Sequence, residues 1–158
     1  MLGSRREREG GAGPISTSLL PMDAHSEGRL TLTVPAKPEA VRVVRAVMRT
    51  WAATVGIVLD EIEELCLAVD EAFAGLIATR PLPEHVIVRI QSDASGVDII
   101  AVRDAEAELW PPVSAQTALV RRVLSTLIDD VRFEHTDQGP AIHMIKHRAS
   151  VADAPPLA

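Results

Sequence analysis

Tyrosine is missing from this chain, and two tryptophans and two phenylalanines leave its aromatic content at 3%. A surface that binds single strands or RNA by stacking bases on aromatic platforms is therefore not expected. The formal net charge of -6 argues in the same direction, against a phosphate backbone as main partner, so no direct nucleic-acid contact is predicted. The one cysteine, Cys66, has no partner for an intramolecular disulfide and falls on an apolar helix face, where a thiol serves as a small hydrophobe. No apolar run approaches the ~20 residues of a membrane span. Leu19-Leu20 is followed at once by Pro21, which leaves no signal-peptide core. A cytoplasmic protein without a membrane contact is the expectation.

Chemistry-bearing motifs are also scarce. Neither Gly-x-Gly-x-x-Gly nor Gly-x-x-x-x-Gly-Lys occurs, and no serine sits in a nucleophile elbow. The histidines His25, His85, His135, His143 and His147 do not combine with Cys66 at any metal-ligand spacing. His143 and His147 share a strand face but lie about 13 Å apart at strand rise, so no metal site is predicted.

What remains is an ordinary globular composition, with 47% hydrophobic and 24% charged residues in 158, enough for about one domain with a real core. Residues 1–28 hold the charge run Ser4-Arg5-Arg6-Glu7-Arg8-Glu9 and Gly10-Gly11-Ala12-Gly13-Pro14, and read as a flexible tail whose glutamates blunt any basic docking patch. Residues 149–158 read as a second tail, which leaves 29–148 as the domain.

Within that domain Leu30, Leu32 and Val34 alternate with polar residues and predict a strand. From about Pro38, Val41, Val44, Met48, Trp51, Ala52 and Val55 predict a helix ending at Gly56. Arg42, Arg45 and Arg49 line up beside its apolar face as a basic stripe, either a solvated face or a docking surface. A central helix follows, with Asp60 as its cap and Leu59, Ile62, Leu65, Cys66, Val69, Phe73, Leu76 and Ile77 on one face. Glu71 and Gly75 fall nearly opposite, on a side made slim by Ala68, Gly75 and Ala78, so the carboxylate should look into a groove or a partner.

Residues 85–91 and 97–102 predict a hairpin around a turn ending at Gly96. A third helix is predicted from Ala115 to Val131, with Leu119, Val120, Val123, Leu124, Leu127, Ile128 and Val131 inward and Arg121, Arg122 and Asp129 outward. Residues 131–135 and 141–147 close the chain as a second hairpin. The order β-α-α-β-β-α-β-β predicts an α+β two-layer sandwich, a mostly antiparallel or mixed sheet covered on one face by ~three helices.

The central segment Leu67-Ala68-Val69-Asp70-Glu71-Ala72, with Leu76-Ile77 beyond it, resembles the first nucleotide-binding box of the anti-sigma-factor serine kinases in the GHKL, or histidine-kinase-like, ATPase superfamily. The resemblance extends over about residues 29–148 through the element order, Pro35-Ala36-Lys37-Pro38-Glu39-Ala40-Val41 before the first helix, Asp129-Asp130-Val131 after the third, and Gly139-Pro140-Ala141-Ile142 in the closing strand. It implies that Glu71 occupies the position of the general base, that Gly75 stands where an asparagine helps hold magnesium, and that Asp104 occupies the adenine-binding position. It also implies that an arginine at Arg45, flanked by Arg42 and Arg49, contacts a sigma factor.

The same resemblance exposes departures. Gly75 has no side-chain oxygen for a hard cation. The Asp-x-Gly-x-Gly box reads Asp104-Ala105-Glu106-Ala107-Glu108, with two carboxylates in place of glycines, beside a polyanionic ligand. The third box, Ser114-Ala115-Gln116-Thr117, lacks glycine. Two functions are then expected to compete. One is an anti-sigma factor that sequesters a sigma factor in a partner-switching circuit, opposed by an antagonist, with weak or no ATP use and no cofactor expected. The other is an active serine kinase that phosphorylates the antagonist with Mg-ATP. A scaffold that self-associates as a homodimer is the third reading.

Overall fold

The computed structural model describes residues 28–107 and 109–148. The expectations about the two tails, Gly28 apart, and about Glu108 lie outside the described residues. The elements are β1 (Gly28–Pro35), a single 3-10 turn at Pro38–Ala40, α1 (Val41–Thr54), α2 (Leu59–Ala78), β2 (His85–Ser92), β3 (Gly96–Arg103), α3 (Ala115–Leu127), β4 (Asp130–Thr136) and β5 (Gly139–His147). The sheet runs β1-β2-β3-β5-β4 and every neighbouring pair is antiparallel. The fold is the expected α+β sandwich, and of the two sheet types left open the purely antiparallel one is found.

Period-two alternation in the strands produces the buried face directly. In register, Leu32, Val88, Ala101, Ile142 and Phe133 make one apolar row across all five strands, and Leu30, Ile90, Ile99, Met144 and Val131 make a second. These rows belong to or pack against one core with Val44, Met48 and Ala52 of α1, Leu65, Val69, Phe73 and Leu76 of α2, and Val120 and Leu124 of α3. Burying such side chains supplies the main drive for the two layers to close. Gly56 ends α1 at φ 77°, and Gly96 closes the β2–β3 turn at φ 156°, both backbone states that favour glycine.

Several sequence expectations are corrected at element ends. Asp60 does not cap α2: the cap position is Val58, in extended conformation and without a side-chain bond, and Asp60 sits in the first turn. Leu59 is 65% exposed rather than part of the apolar face, because it is the first helical residue and precedes the packed turns. The third helix stops at Leu127, not Val131. Asp129 donates its N–H to the Ile145 carbonyl, and its carboxylate accepts the His147 N–H at 2.6 Å, so pairing with β5 begins where helical spacing still looked plausible. Val131 therefore points inward from a strand, while Leu119, expected inward, is exposed.

Candidate functional site

The principal cavity among the described residues is a cleft of about 570 Å³ between the end of α2, the 109–114 segment and the start of α3. Behind Pro81, which lines it, lies Arg103, a fully buried guanidinium at the end of β3. Arg103 donates from Nε to the Ala105 carbonyl at 2.9 Å, from Nη1 to the Leu76 carbonyl at 3.3 Å, and from Nη2 to the Pro81 carbonyl. Burial pushes this guanidinium below its ordinary value, opposed by the negative charges of Asp104 and Glu106. The back wall is aromatic. Trp110 donates its indole N–H to the Ala141 carbonyl at 3.2 Å, and its ring meets Phe133 with centroids 5.8 Å apart.

Arg103 was not singled out in the sequence, although a signal was there. The alternation that turns Ile99 and Ala101 inward continues to Arg103, which pairs with Val86 and so shares their face.

Gly75 lines the cleft and Glu71, half-buried one turn earlier on α2, does not. A methyl group built on Gly75 would stand 3.4 Å from Val120 of α3 and 3.7 Å from Ile142. Ala68, two turns earlier on the same helix line, is fully buried. The slim side of α2 is thus covered by α3 over part of its length and open to the cleft only near Gly75 and Ala78.

Asp104 is already engaged. Its carboxylate accepts the Glu84 N–H at 2.8 Å and meets His85 Nδ1 at 3.0 Å, fixing the start of β2. Burial alone would raise this carboxyl, but the hydrogen bonds from His85 and Glu84 outweigh it and hold Asp104 below the usual aspartate value. Glu106 lies 3.9 Å from His135 Nε2, on exposed surface. The third box forms a helix cap, with the Ser114 hydroxyl accepting the Thr117 N–H at 3.0 Å.

The arginine stripe lies apart from the cleft, against the opposite flank of α2. Arg49 makes a two-pronged pair with Glu63 at 2.6 and 3.0 Å, which raises its pKa, and Arg45 bonds Asp70 through Nε at 3.3 Å with a second contact from Nη2. Arg42 is exposed and forms no ion pair among the described residues. Buried Cys66 lies between these pairs, its thiol pushed up by burial and pulled back by Arg49 and Arg45.

A family model for the histidine kinase-like ATPase domain matches residues 34–146, from the end of β1 through β5. The chain belongs to that family. No curated protein matches it. Among solved structures it is similar to the crystal structure of the RsbU and RsbW domains of Rv1364c from Mycobacterium tuberculosis, at 19% identity and a TM-score of 0.60. The match covers 78% of this chain and 34% of that one, so this chain spans about a third of its length. At that identity the likeness is one of fold.

Membership in the family implies Mg-ATP in the cleft, and the residues present do not fit it. Gly75 offers no side-chain oxygen, and among the described residues no carboxylate lines the cavity and Arg80 is the one charged side chain that does. Both oxygens of Asp104 are committed to β2. Among the described residues no group of three or more His, Cys, Asp or Glu gathers to hold a metal, and no helix is long and apolar enough to cross a membrane.

Proposed function

We propose that this chain is an anti-sigma factor that sequesters a sigma factor in a partner-switching circuit and makes no use of Mg-ATP. The observation that carries the second half is the cleft: the family's metal-holding position is Gly75, and the adenine position, Asp104, spends its oxygens on Glu84 and His85. The first half is supported by family membership and by the fold shared with a structure that contains an RsbW domain.

The docking surface in this reading is the outer side of α1, where Arg42, Arg45 and Arg49 lie beside exposed Val43. Arg45 and Arg49 hold their carboxylate partners at the surface, so an acidic partner can compete for guanidinium forks already ordered for carboxylates. Release then comes from an antagonist that competes for the chain, without phosphoryl transfer.

Transcription by reconstituted RNA polymerase tests the reading. The chain should inhibit transcription driven by one sigma factor of its source organism equally with and without Mg-ATP, and the double variant Arg42→Glu, Val43→Asp should relieve that inhibition. Inhibition of no sigma factor would exclude sequestration. Labelled phosphate passing from ATP to an antagonist, and lost in Glu71→Ala, would establish the kinase instead.

A further inference from the structure

The cleft lacks the residues for a metal nucleotide, yet it is neither collapsed nor neutral. About 570 Å³ lies within the size range of small-molecule sites. Trp110 and Phe133 form its wall, and the one polar atom of Trp110 is already bonded to the Ala141 carbonyl, so the indole offers an apolar ring. Leu109 and Val113, which line it, are 60% and 90% exposed among the described residues. Absence of a side chain at Gly75 keeps open the room beside Val120.

Among the described residues that line this site, Arg80 is the one that carries a charge, and it makes no ion pair among the described residues. A second guanidinium, Arg121, rests 4.3 Å from the centroid of the Phe133 ring and also lacks a carboxylate partner among the described residues. A guanidinium lining an apolar cavity, here that of Arg80, selects a carboxylate or sulfonate head on an apolar body. The Arg103 bond to the Pro81 carbonyl and the Trp110 bond to the Ala141 carbonyl hold two lining residues in place, which lowers the ordering cost of binding.

We propose that the cleft binds an anionic amphiphile, a small organic acid whose apolar body lies on Trp110 and Phe133 and whose head group meets Arg80. The inference rests on the reading that Mg-ATP does not use this cavity. Such a ligand fills space between α2 and α3, elements that also carry the core, and its binding stabilises the fold.

The test uses the full chain and anilinonaphthalene sulfonate, an aromatic body with one sulfonate, followed by energy transfer from Trp110 in a Trp51→Phe background. Saturable single-site binding with a rise in melting temperature is expected, displaced by decanoate but not by decylamine. Arg80→Glu should weaken the probe by about tenfold, the loss of one charge-assisted bond. Val113→Asp should weaken it too, while Val58→Asp, the same change on exposed surface at the far end of α2, should not. Gly75→Leu fills the cavity and should abolish binding; Arg80→Glu, at an exposed position, keeps the test independent of whether that variant folds. No saturable binding, or displacement by decylamine as effective as by decanoate, or no effect of Arg80→Glu, overturns the inference alone. Displacement of the probe by Mg-ATP overturns it together with the ATP-free reading of function.

Discussion

The two flanks of α2 follow opposite rules. Toward α1 the helix presents charge: Asp70 pairs with Arg45 and Glu63 with Arg49, the latter two side chains 52% and 47% exposed. Toward α3 it presents the bare backbone of Gly75 beside Val120, and Ala68 lies fully buried on the same helix line. The charged flank is conspicuous in the sequence and contributes little to stability, because water screens exposed pairs and ordering two long side chains costs entropy. The bare flank is easy to overlook, and it sets how closely α3 approaches and where the cleft opens.

Substitutions on each side can break or sharpen that contrast. The largest effect is expected below the cleft, at Arg103→Met, which leaves the Leu76, Pro81 and Ala105 carbonyls without their donor: a loss on the order of 3 kcal/mol by urea denaturation. Ala68→Leu on the bare flank should cost about 2 kcal/mol by overpacking. Gly75→Ala should go the other way and stabilise by about 0.5–1 kcal/mol, since the added methyl meets Val120 at an ordinary 3.4 Å and the helix loses a flexible residue. A loss of stability there would mean that α3 sits tighter than described.

Two smaller effects complete the order. Asp104 has a folded pKa below its unfolded one, so its stabilisation is full above the ordinary aspartate value of about 3.9 and is lost as pH falls through the lower folded value. Melting temperatures of wild type should therefore fall more steeply on acidification below about pH 4 than those of Asp104→Asn. Arg49→Ala on the charged flank should change stability least of all, within the scatter of replicate melts at moderate salt.

Much of the fold was legible because two periodicities carry it. Strict alternation placed Leu30, Leu32 and Val34, and three-and-four spacing placed Val44, Met48, Phe73 and Leu76, all found in or against the core. Helix ends were less legible. The apolar spacing continues smoothly from Leu127 to Val131, and only the pairing of Asp129 with β5, a contact across 16–18 residues, decides that the helix has stopped. At the site, the sequence pointed to Glu71, Gly75 and Asp104. It did not reveal that Gly75 borders the cavity and Glu71 does not, nor that Asp104 is bound to β2, because each depends on where a distant element docks. The pairing of Arg45 and Arg49 with α2 was hidden for the same reason.

The strand order has one further consequence, for how this chain meets its own copies. Placing β1 and β4 outermost leaves, among the described residues, two sheet edges without a neighbouring strand, each an invitation to a strand from another molecule. Both edges are guarded. β1 carries exposed Arg29 and ends in Pro35, and β4 holds Asp130, Arg132 and Glu134 on its outer face. A second chain aligning against β4 would have to match that acidic-basic-acidic pattern, and one aligning against β1 would lose a hydrogen bond at the proline. These few residues disfavour edge-to-edge growth into larger aggregates.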